Sequence, residues 1–557
     1  NAKYGIIYTI SNITEDQTVE ISGLVRENYD VTFRNIDGSV ISTQAVEHGS
    51  SATVPPDPVA PEGMTFVGWT DKNGKTFDFS TQIVDQTDVY ARFIVAKSDD
   101  GYYLISNLSE LIWFRDEVRF GNTAINGRLT ADIEMNKGKY KIAGEAVSFY
   151  DDAEIWEPIG GYDYSNEDSY IKFYEGKFDG DGHTLSGFYI KRDAMAANAS
   201  ELGIFGVIEE TAAIRDLNVT KSYFEGYGRI GSIAGTGKGI INGCSSNCTL
   251  VGVEDVGGIV GTASANINSC TFSGKITVQR YGSSASYIGG SNAGGIVGRV
   301  TADGVTIGLC ENTAAVRSYN NAGGIVGSSD GVSVTVFSCT NSGAVRADAN
   351  AGGIIASAQS VQLMGTVNNA DVIGGTYAGG IIAQGELSGT LNVNEGNVSA
   401  AVAGGILGSG SLDMTYFYNA GDVNGGTSAG GIAGEATEIK ATQAHSFAQL
   451  KGEKIDGICP SASSVTTVSV YYCDRFGGSA YGTPADYTWF YSGYLSGIMN
   501  RENGSDFWSH NGYYPVFIDS DNPAFVFALK ESETKGTYYI ENERDLHLVS
   551  ALVNNEG

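Results

Sequence analysis

The sequence has few of the residues from which most catalytic and metal sites are built. It contains only five histidines, seven cysteines and nine prolines among 557 residues. It has no HExxH, GxSxG, GxxxxGK[ST] or CxxC motif, so nothing indicates a zinc peptidase, a serine hydrolase, a P-loop NTPase or a zinc finger. The odd number of cysteines is a poor basis for a disulfide framework. These absences favour functions that need no reactive side chain.

Basic residues and long apolar runs are also scarce. The chain has 34 Lys and Arg against 64 Asp and Glu, a formal net charge of −30, which argues against a nucleic-acid partner because phosphate recognition needs clustered Lys and Arg. No run of about 18 apolar residues occurs, so no transmembrane helix is predicted. The sequence is 42% hydrophobic and 11% aromatic, enough for folded cores. Its length predicts two or more domains.

Glycine is abundant, and its placement is the main signal. The phrase AGGIVG, with close variants, recurs seven times. The first glycines of the paired glycines are Gly257, Gly294, Gly323, Gly352, Gly379, Gly404 and Gly430. Two weaker copies precede them, LGIFG at 202–206 and GSIAG at 231–235. Successive first glycines are 25 to 37 residues apart, and a period of this length is typical of repeat architectures.

A second phrase lies about half a period away and carries cysteines. It reads SCTFSGKI at 269–276, LCENTAAV at 309–316 and SCTNSGAV at 338–345. One repeat position is thus occupied by Cys244, Cys270, Cys310 and Cys339, and the spacing places Thr366, Leu391 and Phe417 there in the next three repeats. We interpret the cysteines as small buried apolar groups, with disulfides between neighbouring repeats as the open alternative.

These patterns predict an all-β fold, a right-handed parallel β-helix. Each half-repeat is a short strand bounded by turn residues, and a unit of about 27 residues can bury its apolar face only by stacking on its neighbours. Helical periodicity and the LxxLxL pattern are absent, and the repeat is shorter than a propeller blade. We expect one internal column of isoleucines: Ile259, Ile296, Ile325, Ile354, Ile381, Ile406 and Ile432.

At these residues the chain resembles the GLUG repeat family across roughly 200–440. WEPIG at 156–160, GKFDGDGHTLSGFYI at 176–190 and FWSHNGYYPVF at 507–517 fit the beginning and the end of such a β-helix. The family occurs in bacterial surface proteins and adhesins and beside immunoglobulin-cleaving metallopeptidases. The resemblance therefore implies an extracellular location on a bacterial surface.

A short amphipathic helix is predicted within 103–118, where it would cap the open end of the β-helix. Leu111, Phe114 and Val118 share one face, and Ser109 is the candidate N-cap. The phrase returns at 538–553, offset by 435 residues, with Leu546, Val549 and Val553 at the same positions. We therefore expect 521–557 to be a linker and the start of a second, truncated β-helix unit.

Residues 31–95 form a different module. They begin with VTF, pass through the prolines at 55–61 and continue with TFVGW, FDF and VYARF. This run resembles the internalin B-repeat (Listeria-Bacteroides repeat) family, which implies a small β-grasp-like domain. The residues themselves predict an aromatic core of Phe66, Trp69, Phe79, Tyr90 and Phe93.

Four segments follow from these features. We expect closing strands of a preceding β domain at 1–25, the internalin B-repeat-like domain at 26–97, the GLUG-type β-helix with its cap helix at 98–520, and the linker with the second unit at 521–557. Both chain ends look cut, so we expect a segment of a longer protein.

Two aromatic clusters are candidate glycan-binding surfaces, because sugar rings stack on aromatic side chains. The clusters comprise Tyr150, Trp156, Tyr162, Tyr164 and Tyr170, then Tyr487, Trp489, Phe490, Tyr491 and Tyr494. The binding candidates among them are Trp156, Tyr162, Tyr164, Trp489 and Tyr491, with packing in a core or cap as the alternative. No catalytic, cofactor-binding or metal-binding residue is predicted. In Asp179-Gly180-Asp181-Gly182, the two carboxylates could hold Ca²⁺, but a turn between strands explains the same residues.

The sequence favours a non-enzymatic extracellular segment of a bacterial cell-surface protein, acting as a rigid stalk or an adhesive display module. A carbohydrate-binding module or a polysaccharide-degrading enzyme on a β-helix is the alternative. Expected partners are a host or cell-surface glycan or protein and other modules of the same longer chain, without nucleic acid.

Overall fold

The computed structural model describes most of the chain, in two compact units, Asn1–Ile94 and Val95–Gly557. The described residues are 11–16, 18, 27–35, 38–72, 74–144, 146–161, 172–192, 201–279, 291–519, 529–530, 532, 534–535 and 537–555. The strands predicted at 1–25 lie largely outside them. Each unit is considered by itself.

The first unit is a four-stranded mixed sheet. Its strands are β1 (Asn28–Arg34), β2 (Val40–Glu47), β3 (Met64–Thr70) and β4 (Thr87–Val95). Their order is β2-β1-β4-β3, with β1 antiparallel to β2 and parallel to β4. A parallel central pair between two outer strands is the arrangement of a β-grasp sheet, as expected.

Aromatic rings pack edge to face in this unit. Trp69 and Phe93 are buried, and Phe66 lies between them with ring centroids 5.4 and 5.7 Å away. The predicted members Phe66, Phe79 and Tyr90 are only half-buried. Aliphatic and aromatic side chains that the sequence reading missed complete the core: Val31, Phe33, Ile83 and Val89.

The second unit is a parallel β-solenoid of about 13 turns, and strands account for 51% of the structure. This confirms the predicted fold class. Successive coils pair in register along two long sheets. Since neighbouring strands lie about 4.8 Å apart, thirteen coils extend about 60 Å.

The strands of the larger sheet are two to four residues long in the early coils, and several in the later coils reach 10 to 14 residues. The larger sheet comprises β5 (Tyr102–Ile105), Asn126–Leu129, Ile133–Glu134, Lys177–Asp179, Thr184–Ser186, Phe205–Ile208, Ala213–Arg215, Asn218–Thr220, Ala234–Gly237, Ile240–Asn242, Ser245–Ser246, Val260–Ala263, Ile267–Asn268, Thr271–Phe272, Val297–Val300, Val305–Gly308, Glu311–Asn312, Val326–Phe337, Thr340–Asn341, Ile355–Met364, Val367–Asn368, Ile382–Asn394, Leu407–Asn419, Ala433–Ser446, Ala462–Cys473 and Thr483–Ala485.

The smaller sheet has two strands in most coils, which merge toward its end. It comprises Tyr189–Lys191, Glu201–Leu202, Tyr223–Glu225, Arg229–Gly231, Thr249–Gly252, Asp255–Gly257, Lys275–Val278, Asn292–Gly294, Val316–Ser318, Asn321–Gly323, Val345–Ala347, Asn350–Gly352, Val372–Ile373, Tyr377–Gly379, Val398–Gly404, Val423–Gly430, Leu450–Lys451 and Lys454–Asp456.

The predicted isoleucine column is confirmed. All seven members are fully buried, and each lies at the corner between the two sheets. Along the column each backbone N–H donates to the carbonyl of the next isoleucine, as from Ile325 to Ile354 at 3.0 Å. The column extends to Ile204 and Ile233 before it and to Ile458 after it. Full burial of one such side chain is worth about 1.5–3 kcal/mol of transfer free energy.

The paired glycines are required by close backbone approach. None of the first glycines has a positive φ. A Cβ built on Gly352 would lie 1.7 Å from the Ile355 carbonyl oxygen, and one built on Gly353 would lie 1.9 Å from the Gly380 carbonyl oxygen. The corner therefore has no room for a side chain.

The cysteine column is also confirmed, with one correction. All seven cysteines are buried free thiols. The column continues through Thr366 and Phe417, but the ladder pairs Asn392 with Phe417. The predicted Leu391 was therefore wrong by one residue.

A left-handed turn explains the error. Leu391 has φ 62° and a side chain that is 38% exposed. It belongs to a column of left-handed residues, each directly before a member of the cysteine column: Asp216, Gly243, Ser269, Leu309, Ser338, Gly365, Leu391, Tyr416, Gln443 and Ser469. This conformation usually favours glycine, so counting residues between turns did not reveal it.

The predicted cap helix exists as α1 (Leu108–Arg119). Leu111, Phe114 and Val118 are fully buried, as expected. The predicted N-cap, Ser109, was wrong, because Asn107 Oδ1 accepts the Glu110 N–H at 3.0 Å. The Glu110 carboxylate in turn accepts the Ser106 N–H, which completes a reciprocal cap. The N-cap is therefore Asn107, two residues before the predicted Ser109.

The remaining elements lie on the outside of the solenoid or after it. A hairpin joins Tyr140–Ala143 to Ala146–Phe149, and a second joins Trp508–His510 to Pro515–Phe517. The other helices in the described residues are α2 (Tyr487–Ser492), α3 (Tyr494–Asn503) and α4 (Glu543–Asn555).

Candidate functional site

The first aromatic cluster does not form an accessible site. Trp156 is fully buried, its Nε1 donates to the Ile204 carbonyl at 3.2 Å, and its ring meets Phe188 edge to face. The glycan-binding role expected for Trp156 was therefore wrong, because the WEPIG segment leads the chain into the core. Tyr162 and Tyr164 lie outside the described residues.

The second cluster belongs to a module that packs on the side of the last coils. The module comprises α2, α3 and the hairpin at 508–517. Beneath it, one outward-facing ladder position changes from Ser245, Thr271, Glu311 and Thr340 to Val367, Val393, Tyr418, His445 and Tyr471. The polar-to-apolar switch along this ladder marks where the module covers the solenoid.

His445 is the most deeply buried titratable group of this interface. It is fully buried, its ring stacks on Tyr418 at 5.0 Å, and its Nε2 lies 2.7 Å from the Pro515 carbonyl oxygen. Because a carbonyl can only accept, Nε2 carries the proton and Nδ1 is bare, without a hydrogen-bond partner. Burial lowers the pKa of His445 to about 3, so the ring stays neutral.

This arrangement predicts acid sensitivity. The unfolded chain binds a proton at His445 near pH 6.5 while the folded chain does not until about pH 3. Stability therefore falls as the pH is lowered through that window, by about 1.4 kcal/mol per pH unit from this group. His445→Phe should reduce the number of protons taken up on unfolding by about one. The slope of the free energy of urea unfolding against pH, between pH 4 and 7, measures this number. The control, His183→Phe, alters a histidine that is one-third exposed. An unchanged slope in His445→Phe would contradict the assignment.

The second pair of glycan-binding candidates lies at the surface of this module. Trp489 is half-buried against Tyr494, with ring centroids 5.1 Å apart, and packs under α4. Tyr491 is half-buried too, stacks on Tyr487 at an interplanar angle of 14° and meets Tyr513, which is 61% exposed. The Arg475 guanidinium lies 4.8 Å from the Tyr487 ring centroid. We name Arg475, Tyr487, Tyr491 and Tyr513 the tyrosine patch.

The tyrosine patch has the chemistry of a sugar-stacking surface beside a cation. Aromatic faces take the apolar side of a pyranose, and a guanidinium can pair with a carboxylate. Of the binding candidates, Tyr491 lies in this patch, together with Tyr487 of the same predicted cluster. Trp489 lies beside it, with its ring turned into the packing below α4.

A buried amide ladder is the largest polar feature that the sequence reading missed. The side chains of Asn312, Asn341, Asn368, Asn394 and Asn419 are fully buried, and each Nδ2 donates to the Oδ1 of the next at 2.7–2.8 Å. The signal was present, since asparagine recurs at one place in ENTAAV, TNSGAV, VNNADV and YNAGDV. These amides rigidify the turn after each cysteine-column position.

A second column of polar side chains lies on the smaller sheet and includes charged residues. Arg229 donates to Glu201 at 2.5 Å, and Asn292 donates to Asp255 at 2.7 Å. Burial raises the pKa of Asp255 to about 6, and it raises the pKa of Glu201. Asn321 continues the column by donating to Asn292 at 2.9 Å. Every acid in the column already has a partner, so the arrangement is structural.

The Asp-Gly-Asp-Gly segment is organised as a turn. The Asp179 carboxylate is buried and accepts from Arg128 at 3.1 Å and from Arg215 at 2.5 Å. It also accepts the Asp181 N–H at 3.0 Å. Two guanidinium groups thus compensate its charge, which favours the turn interpretation over a Ca²⁺ site. His183 Nδ1 lies 3.4 Å from Asp132.

In the part of the chain that the structure describes, no three His, Cys, Asp or Glu side chains are grouped so that they could hold a metal ion. Within the same residues, no helix has the length and apolar character needed to cross a bilayer.

Comparison with known proteins identifies one module. The family model of the Listeria-Bacteroides repeat domain matches residues 29–92, which confirms the resemblance of the first unit. The GLUG resemblance of the solenoid stays a prediction.

Two curated relatives are similar to part of the chain. Halomucin of Haloquadratum walsbyi is 27% identical over 184 residues, 33% of this chain. A "Putative Gly-rich membrane protein" of Evansella cellulosilytica is 33% identical over 93 residues, 16% of this chain. The matches span 2% and 9% of the length of these relatives.

One solved structure is similar over a larger share of the chain. It is described as "a putative immunoglobulin A1 protease from Bacteroides ovatus". It is 17% identical to this chain and covers 76% of it and 93% of its own chain, with a TM-score of 0.32.

Proposed function

We propose that this chain is a non-enzymatic, extracellular segment of a bacterial cell-surface protein, and that its solenoid serves as a rigid spacer that displays other modules. One observation carries the proposal. Among the described residues of the solenoid, five buried asparagines bond to one another in a structural ladder, and the buried acids Glu201 and Asp255 are paired with Arg229 and Asn292. A solenoid of this kind provides a stiff spacer of fixed length. The repeat module at 29–92 and the names of the two relatives support a surface location.

A spacer should tolerate the loss of whole coils. Gly323 and Gly379 occupy the same ladder position two coils apart, so deletion of 323–378 joins coils in register and shortens the solenoid by about 10 Å. We expect this variant to fold cooperatively and to be displayed on intact cells that express the parent protein. Protease accessibility and antibody labelling of those cells measure the display.

The matched control is a deletion out of register, 323–364, which removes about one and a half coils and should abolish folding. Labelling that appears only after lysis would contradict the surface location. Release of reducing ends or unsaturated uronates from a polysaccharide panel by the purified chain would contradict the non-enzymatic role and favour a polysaccharide-degrading enzyme.

Carbohydrate binding is the second candidate function, and the tyrosine patch favours it. An acidic glycan would stack on Tyr487 and Tyr491 while its carboxylate pairs with Arg475. On a glycan array, Tyr491→Ala and Arg475→Ala should each weaken binding at least about tenfold, the loss of about 1.4 kcal/mol. Trp489→Ala serves as the packing control, with folding checked by thermal unfolding. Binding that survives both patch variants would exclude this surface.

A further inference from the structure

The last described segment repeats the architecture of the solenoid's first cap. In α1, Asn107 Oδ1 accepts the Glu110 N–H and Glu110 accepts the Ser106 N–H. In α4, Asn542 Oδ1 accepts the Asp545 N–H at 3.0 Å, and Asp545 accepts the Glu541 N–H at 3.0 Å. The two helices therefore begin with the same reciprocal cap, 435 residues apart.

The backbone before each helix repeats as well. Before α1, Ser98 N–H donates to the Tyr102 carbonyl and Leu104 N–H donates to the Ala96 carbonyl. Before α4, Ser532 N–H donates to the Thr537 carbonyl and Tyr539 N–H donates to the Lys530 carbonyl. Ser98 and Tyr102 are four residues apart in the sequence, whereas their counterparts Ser532 and Thr537 are five apart. Hairpin and helix together make 530–555 a second copy of 96–119.

The two copies differ in what covers their apolar face. In the first, Ile105, Leu111 and Val118 are fully buried. Phe114 contacts Phe178 of the first coil with ring centroids 5.6 Å apart, and β5 pairs in parallel with Asn126–Leu129. This face is thus the surface on which the first coil of the solenoid rests.

In the second copy the equivalent face is open. Ile540, Leu546 and Val553 are 51%, 56% and 65% exposed. The opposite side of α4 is occupied, because Leu548 and Ala551 are buried against Tyr494 of α3. The helix is therefore anchored to the module at the end of the first solenoid, while its capping face is free to receive another element.

We propose that residues 530–555 are the N-terminal cap of a second β-solenoid unit, and that the face formed by Ile540, Leu546, Val549 and Val553 binds the first coil of that unit. The occupant is inferred from α1, whose equivalent positions bind such a coil in this structure. The proposal does not depend on the proposed function. It makes the described solenoid one unit of a series linked through the module at 487–517.

A tandem chain tests this directly. Because α1 ends at Arg119 and the offset is 435, a copy of residues 120–519 attached after residue 554 places a first coil against the open face. The rate at which maleimide labels Leu546→Cys measures whether this face is covered, since all native cysteines are buried. We expect labelling to fall at least about tenfold relative to the single chain, as for a site that reacts only through local opening. Arg544→Cys on the same helix is the control, because its counterpart Ser109 is exposed in the first cap, and it should label quickly in both chains.

Two further chains separate the outcomes. The tandem chain with 530–554 replaced by 96–119 shows how well the established cap protects the appended unit, measured by protease resistance. Equal resistance with either cap supports the proposal. An appended unit that is digested with 530–554 but resistant with 96–119 overturns it. Concentration-dependent protection of Leu546→Cys in the single chain also overturns it, because the face then binds a second copy.

Should neither tandem chain fold, an exchange within the single chain decides. Residues 96–119 are replaced by 530–554, with and without Leu546→Asp and Val553→Asp. Cooperative unfolding that the two aspartates abolish supports the proposal, whereas loss of folding without them contradicts it.

Discussion

Replacing Gly352 by valine should prevent the solenoid from folding as a continuous stack. A Cβ at this position would lie 1.7 Å from the Ile355 carbonyl oxygen and 3.0 Å from the Ala383 nitrogen. Both contacts are with backbone, so no side-chain rotation can relieve them. Two coils would have to separate at the corner, where Ile354 bonds to Ile381 at 2.9 Å. We expect the free energy of unfolding to fall by at least about 3 kcal/mol, beyond ordinary overpacking.

Urea unfolding followed by far-UV circular dichroism measures this loss. Gly478→Val is the matched control, since a Cβ there meets nothing within 4 Å and the residue has no positive φ. It should leave the midpoint nearly unchanged. If Gly352→Val unfolds within about 0.5 kcal/mol of the parent, the size expected of a neutral surface change, the corner is not packed as described.

Breaking the amide ladder in its middle should have an effect of similar size. Asn368 Oδ1 accepts from Asn341, while Asn368 Nδ2 donates to Asn394 and to the Ala370 carbonyl. Asn368→Leu fills a similar volume but removes all of these bonds. Each buried polar group left without a partner costs about 1–3 kcal/mol, so we expect a total loss of at least about 3 kcal/mol.

The exposed Asn424 supplies the control for this second prediction, because its only described side-chain bond is a long one to Ser399 at 3.5 Å. Asn424→Leu should change the free energy of unfolding by less than about 0.5 kcal/mol. Hydrogen exchange adds a spatial readout. Asn368→Leu should raise exchange in the coils that contain Asn341 and Asn394 first. Equal midpoints for the two leucine variants would show that the ladder contributes nothing.

The repeated apolar corner made the solenoid predictable. Ile325 and Ile354 recur with glycine pairs at a fixed place, and a short unit with one apolar face has few ways to bury it. The cap helix α1 was predictable because its apolar residues recur at helical spacing. Its N-cap was not, since Asn107 and Ser109 are both good capping residues and only the geometry of Glu110 decides between them.

Sequence reasoning did not predict the register after Cys339, nor which aromatic residues are buried. Leu391 adopts a left-handed turn that leucine rarely occupies, so counting placed it in the column instead of Asn392. Trp156 and Tyr491 both stand in aromatic runs. Only tertiary packing shows that the first is in the core and the second at the surface, because aromatic residues serve both places equally well.

The stacking of coils in register is the central claim, and distances between labelled coils test it most directly. Thr277, Arg317, Arg346 and Asn424 lie on one outward-facing ladder position, with Asn424 five, four and three coils beyond the first three. Spin labels on cysteines at Asn424 and at each of the others in turn should give pulsed electron paramagnetic resonance distances near 24, 19 and 14 Å, steps of about 4.8 Å. Distances that do not change in equal steps with coil number would contradict the solenoid.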